Sequence, residues 1–145
     1  MNQKVTFRTF KEGDFEICKK WWEEWWGPAI PVQNRSVLPQ DNRCFIIESD
    51  GEPMAASFLY IDPSSKMGTI TWTISDPNYR EEDRGFLLEL LISCIESEAR
   101  DVWGVEVFYT IADNKRMEHI FRRLNWYIED SAPTYGCYKF FYNGK

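Results

Sequence analysis

One histidine in 145 residues, four scattered cysteines (Cys18, Cys44, Cys94, Cys137) and no CxxC pair leave little from which to build a metal centre or a disulfide framework. No metal is expected, and the cysteines read as small buried hydrophobes in a reducing compartment. Long apolar runs are also missing. Each breaks well before membrane-spanning length, and the opening MNQKVTFRTFKEGD has no apolar signal segment, so the chain is expected to be soluble and cytoplasmic with no membrane partner. Nor is there a basic stripe. Seventeen Lys and Arg against 23 Asp and Glu give a net charge of −6, which argues against a nucleic-acid partner and favours cationic or neutral small ones.

What is present in excess is aromatic side chain, 17% of the residues. KKWWEEWWGPAIP, residues 19–31, places four tryptophans in six positions. At about 100° per residue on a helix, Phe15, Cys18, Trp21, Trp22, Trp25 and Trp26 fall inside one arc of roughly 140°, with Glu16, Lys20, Glu23 and Glu24 outside it. That is an amphipathic helix with a wide apolar face. Asp14 suits its start, and Gly27 followed by Pro28 its end. Most of the rings are expected to pack on a sheet. An arc that wide exceeds what one neighbour covers, so two of the four could line a pocket.

With 43% hydrophobic and 28% charged residues, the chain is expected to form one domain, 1–145. KVTFRTF alternates as a first strand, and the Pro-rich stretch 27–42 reads as an irregular surface connection with a short helical turn. RCFIIES and MAASFLYI flank the Asp50-Gly51 turn signal as a hairpin, and a second hairpin leads into TITWTIS, the clearest strand. The period then changes to about 3.6, with Leu88, Leu91, Ile92, Ile95 and Ala99 on one face of a helix ending near Arg100. The strand GVEVFYTI follows, closing a parallel crossover. A short helix, NKRMEHIFRRL, and closing strands in NWYIED and YGCYKFFY complete the order. The fold class is α/β of the α+β type: a mixed, mostly antiparallel central sheet with helices on both faces.

Two stretches carry chemistry. Between TITWTIS and the long helix lies Ser75-Asp76-Pro77-Asn78-Tyr79-Arg80-Glu81-Glu82-Asp83-Arg84-Gly85. A strand entering a helix N-terminus presents N–H groups and a positive dipole end that bind phosphates, with Gly85 permitting close approach and Arg80 or Arg84 able to pair with a phosphate. Equally, Glu81, Glu82 and Asp83 can neutralise their own helix end and leave no anion site. In the second stretch, Asn114 to Trp126, Asn114 is placed to cap a helix, Phe121 and Leu124 are core by spacing, and His119 falls off the apolar face.

The R-x-x-x-x-G at Arg80–Gly85 and the N-x-x-M-x-x-I-F-x-x-L-N-W at Asn114–Trp126, in this element order, resemble the GNAT superfamily of acyl-CoA-dependent N-acyltransferases. The second motif is similar to the family's N-x-x-A-x-x-L-Y-x-x-x-G-F, with Asn125 and Trp126 in the Gly-Phe places. The resemblance implies a V-shaped opening between TITWTIS and GVEVFYTI that receives the pantetheine arm of acetyl-CoA like an extra strand. Main-chain groups of Trp72, Thr73, Ile74 and Ser75 would hold that arm, the 80–85 turn (Arg80, Asp83, Arg84, Gly85) the pyrophosphate, and Asn114 and Phe121 would flank the cofactor. An amine would attack the thioester directly, through a tetrahedral oxyanion.

Two residues depart from the family pattern. Asp83 stands where the phosphate turn has its first glycine, and Phe121 where many members have a proton-donating tyrosine. No catalytic residue is assigned; Glu48, Tyr60 or water are the candidate bases. Trp25 and Trp26, with Tyr60, are expected to wall the acceptor site. The expected activity is acetyl transfer to an amine of a small molecule or peptide. The alternatives are a GNAT-shaped regulatory module without catalysis, and an unrelated aromatic-rich carbohydrate or nucleotide binder. YGCYKFFY suits either a homodimer edge or a buried terminal strand.

Overall fold

The computed structural model describes residues 3–79, 81–112 and 114–128, the Glu81 side chain excepted. Arg80, Cys137, the YGCYKFFY strand and the last residues of NWYIED lie outside the described residues. Two compact units are present, Met1–Thr110 and Ile111–Lys145.

The first unit carries a five-stranded sheet in the order β1-β2-β3-β4-β5. Its strands are β1 (Val5–Thr9), β2 (Cys44–Ser49), β3 (Glu52–Ile61), β4 (Met67–Ser75) and β5 (Val107–Tyr109). Neighbours are antiparallel except β4 and β5, which run parallel because the helix α2 (Glu81–Asp101) crosses between them. Between β2 and β3, Asp50 (φ 53°) and Gly51 (φ 84°) both adopt left-handed backbone, the geometry of a two-residue hairpin whose twist matches its strands. Gly68 must be small: a Cβ there would lie 3.2 Å from the Tyr60 carbonyl oxygen and 3.3 Å from the Val105 side chain. β5 is shorter than the GVEVFYTI pattern suggested.

Alternation divides the sheet into two buried faces. Ile46, Ala56, Phe58 and Ile74 join Cys18, Trp21 and Trp22 of helix α1 (Asp14–Trp26) in one cluster. Phe45, Ile47, Ala55 and Leu59, also buried, point to the other side. There α2 packs on β2, β3 and β4, burying Leu87, Leu88, Leu91, Ile92, Ile95 and Ala99. The connection 27–42 forms two short 3₁₀ turns, Arg35–Val37 and Asp41–Arg43. It does not simply run over the surface. Ile30, Val32 and Leu38 insert into the α1 cluster, because apolar residues flank the prolines and the aromatic face leaves room for them. Among the described residues, no helix is long and apolar enough to cross a membrane.

α1 is seated by charge. Gly13 (φ 93°) turns the chain into the helix, and the Asp14 carboxylate, 1% exposed, receives both Nη atoms of Arg8 at 2.7 and 3.2 Å and the Lys11 N–H at 2.7 Å. Arg8 Nε donates to Glu48 Oε2 at 2.8 Å. A buried carboxylate is tolerated only with such partners.

In the second unit, α3 (Lys115–Arg123) begins at Asn114, whose Oδ1 accepts the Met117 N–H at 2.9 Å. It ends with Asn125 at φ 68°; the Asn125 N–H reaches the Arg122 carbonyl at 3.0 Å, and the Trp126 N–H reaches that of Phe121 at 2.9 Å. The Phe121 and Trp126 rings meet at 4.6 Å, completing a Schellman cap with its apolar contact. The Phe…Asn-Trp part of the motif is therefore a helix end that needs a residue tolerant of left-handed backbone.

Trp22 is fully buried and Trp26 is 47% exposed. Trp22→Ala is expected to cost about 3–5 kcal/mol and Trp26→Ala under about 1 kcal/mol in urea unfolding; equal losses would contradict this division of the tryptophans. At the α3 terminus, Asn125→Ala should destabilise by about 1 kcal/mol and Asn125→Gly should not. Thermal unfolding of the two variants checks it.

Candidate functional site

β4 pairs with its two neighbours over different lengths. With β3 it pairs from Gly68 to Ser75, through an irregularity at which Ala56 faces Ile74 and Phe58 faces Thr71. Two β4 residues, Trp72 and Thr73, thus oppose Ser57 alone, and the Ser57 and Thr73 hydroxyls bond at 2.7 Å. Trp72 has φ 58°, a left-handed backbone that a bulky residue adopts only under local constraint. Its side chain packs against the α1 cluster.

With β5 the pairing covers only Met67–Thr69, ending at Thr69↔Tyr109. There side-chain hydroxyls take over, Thr69 Oγ1 donating to the Tyr109 carbonyl and Thr110 Oγ1 to that of Ile70. β4 continues to Ser75. Beyond Thr69 no further β4–β5 pair is found among the described residues, and a strand edge of this kind is the type of surface that an extended, amide-bearing ligand pairs with.

After β4 the chain turns. The Asp76 N–H donates to the Met54 carbonyl at 2.8 Å, Asp76 Oδ1 accepts the Asn78 N–H at 2.9 Å, and the Tyr79 N–H reaches the Asp76 carbonyl at 3.2 Å. α2 already begins at Glu81, so Glu81, Glu82, Asp83 and Arg84 form its first turn. Gly85 lies inside the helix with open space where a side chain would stand. The expected phosphate turn is thus the four-residue turn 76–79 and a helix N-terminus that carries acids.

Arg84 is 7% exposed. Its Nη2 donates to the Pro77 and Tyr79 carbonyls at 3.1 and 2.8 Å, and its guanidinium lies 5.4 Å from the centre of the Trp25 ring. Trp25 Nε1 donates to the Ser75 carbonyl at 2.7 Å. Sequence reasoning did not foresee this tie, since nothing local links a helix tryptophan to a strand end fifty positions away.

The remaining candidates are spread out. Tyr60, half-buried on the α1 side, donates its hydroxyl to the Val37 carbonyl at 2.9 Å. The Glu48 carboxylate is ion-paired with Arg8. Trp26 is exposed at the end of α1. Asn114 and Phe121 belong to the second unit, the first capping α3 and the second buried against Trp126; His119 is exposed there.

Cys18, Cys44 and Cys94 are free. Burial pushes the Cys44 thiol up to about 12 and Cys18 well above its ordinary value. A thiol near 9 unfolded but about 12 folded stabilises the fold only while protonated. That contribution is full below pH 9 and is lost as pH rises toward 12. Neither Cys18 nor Cys44 should react with an aromatic disulfide reagent at about pH 8 without unfolding; mass spectrometry of labelled peptides checks this.

No protein-family model and no curated protein matches the sequence. Solved structures do match, and the chain has the fold of the GNAT N-acetyltransferases. A GCN5-related N-acetyltransferase from Ralstonia eutropha is 18% identical at a TM-score of 0.59, the match covering 90% of this chain and 97% of that one. The diaminobutyrate acetyltransferase of Paenibacillus lautus, in complex with L-2,4-diaminobutyric acid and coenzyme A, is 13% identical at 0.65, covering 85% and 75%. The N-acetylglutamate synthase of Neisseria gonorrhoeae, complexed with coenzyme A and N-acetyl-glutamate, is 20% identical at 0.61 over 82% of this chain. This chain spans 28% of that protein's length.

Proposed function

We propose that this chain, a GNAT fold over residues 1–145, transfers an acetyl or similar acyl group from acetyl-CoA to a primary amine of a small molecule or peptide in the cytoplasm. The observation that carries the reading is the β4 edge past Thr69, bulged at Trp72 and continued to Ser75 after the β5 pairing has ended. The pantetheine arm holds two amides in an extended chain, and a strand edge satisfies such groups in the way it satisfies another strand. That coenzyme A is bound in two of the similar structures supports the same ligand class.

The acyl donor, when bound, supplies a thioester whose carbonyl carbon an amine can attack. Main-chain groups of Trp72, Thr73, Ile74 and Ser75 orient the arm, and a backbone N–H at the bulge polarises the carbonyl. The first turn of α2, with Gly85 open to approach and Arg80 as the phosphate partner, receives the pyrophosphate. Trp26 and Tyr60 border the acceptor, whose amine is deprotonated when it attacks; the diamine in one similar structure supports an amine acceptor.

A second reading, a GNAT-shaped binding protein without turnover, is favoured by one observation: the first turn of α2 carries Glu82 and Asp83 where a phosphate would sit. A carboxylate about 4 Å from a phosphate charge costs about 1 kcal/mol in water. Calorimetry should give a micromolar dissociation constant for acetyl-CoA, tightened about fivefold by Asp83→Asn. Thiol release from acetyl-CoA with a panel of amines then separates the enzyme from the binding protein. If wild type does not bind, the acyl-CoA reading is wrong; binding by Asp83→Asn alone would make the carboxylate the reason.

A further inference from the structure

The tryptophan helix and the start of α2 meet at Arg84. Three segments converge there: the last turn of α1 through Trp25, the end of β4 through the Ser75 carbonyl, and the 76–79 turn through the Pro77 and Tyr79 carbonyls. Resting on the acyl-CoA reading above, we infer that Arg84 and Trp25 are positioning residues that hold this turn and the first turn of α2 in the form that receives the phosphates of the acyl donor.

Burial comes first in the argument. A guanidinium at 7% exposure has left most of its water, a cost that falls only as far as its surroundings replace that hydration. Two carbonyls and the face of an indole do so here. Nε has no acceptor among the described residues, so the replacement is incomplete. With Nη2 engaged and the side chain enclosed, Arg84 acts through the turn and not as the direct phosphate ligand.

The orientation of the carbonyls comes second. A carbonyl oxygen directed at a phosphate repels it, as a carboxylate does. Both turn carbonyls are instead tied to Arg84 Nη2, and the carbonyl of Ser75 is tied to Trp25 Nε1. Three acceptors at the junction of strand and helix are thereby removed from the surface that an anion would meet. A glycine-rich turn solves this problem with backbone freedom; this chain, with Asp83 in the first glycine's place, has two side chains to do it.

Charge comes third. Glu81, Glu82 and Asp83 stand in succession before Arg84, and its positive charge offsets part of theirs at the helix end. The proposal gives Trp25 a role on the donor side of the site.

The test compares acetyl-CoA with S-acetylpantetheine, which carries the same thioester arm but no phosphate. Titrations of both into wild type, Arg84→Met, Arg84→Lys and Trp25→Phe are followed by calorimetry and, for the weaker ligand, by NMR. Arg84→Met should weaken acetyl-CoA about tenfold or more and S-acetylpantetheine less than about twofold. Lysine, with one rotatable ammonium and no plane to stack, should restore only part of the loss. Trp25→Phe keeps a ring but loses the N–H, and should weaken acetyl-CoA by about threefold in the same selective pattern. It is also the milder change should Arg84→Met fail to fold. An equal loss for both ligands would mean a merely structural role and overturn the proposal, as would unchanged acetyl-CoA affinity in both Arg84→Met and Trp25→Phe. Wild type that takes up no acetyl-CoA overturns the acyl-CoA reading itself, and the proposal with it. That failure is recognised before any variant is compared.

Discussion

Trp72 sits in left-handed backbone in the middle of a strand, and the candidate site depends on that constraint. A strand that pairs with one neighbour along its length and with the other for three residues must separate from the second without losing the first. The extra residue opposite Ser57 does this by adding local twist, and the Ser57–Thr73 hydroxyl bond holds the two strands together across it. Trp72 is kept in the unfavourable region by its own packing, since the indole is anchored in the α1 cluster. Core and bulge are therefore one construction: the packing that stabilises one face of the sheet also holds the irregularity in β4.

The tryptophan helix divides along its length. Trp21 and Trp22 are covered by the sheet and by the Pro-rich connection, whereas Trp25 and Trp26 are exposed at the end of the helix, Trp25 being tied to the Ser75 carbonyl at the end of β4. The wide aromatic arc follows from serving two surroundings in succession. The Asp14–Arg8–Glu48 ion cluster fixes the other end of the helix against β1 and β2. A buried pair of this kind adds little net stability compared with apolar packing, but it specifies one orientation of the helix.

Much of this was legible in the sequence, and the reasons differ by element. The hairpin at Asp50-Gly51 rests on local backbone preference, and β4 and α2 rest on periodicities that long elements display clearly. Trp21 and Trp22 as core, and Asn114 as a cap, follow from spacing and side-chain chemistry. What failed was set by tertiary contact. Ile30, Val32 and Leu38 are drawn inward by packing against the α1 cluster, which no local pattern reveals. β5 ends early because the chain departs from β4, which is a property of the pair and not of GVEVFYTI. α2 starts before its apolar pattern does, since acidic residues favour a first turn that buries little. Arg84 and Trp25 were each picked out, but singly; their partnership belongs to the fold.

The central claim is that the edge of β4 beyond Thr69 receives the acyl donor. Amide hydrogen exchange on the free protein and on the protein saturated with acetyl-CoA tests it most directly. Slowed exchange confined to residues 70–75 and the first turn of α2 is the predicted result. Protection elsewhere, with the β4 edge unchanged, would contradict it.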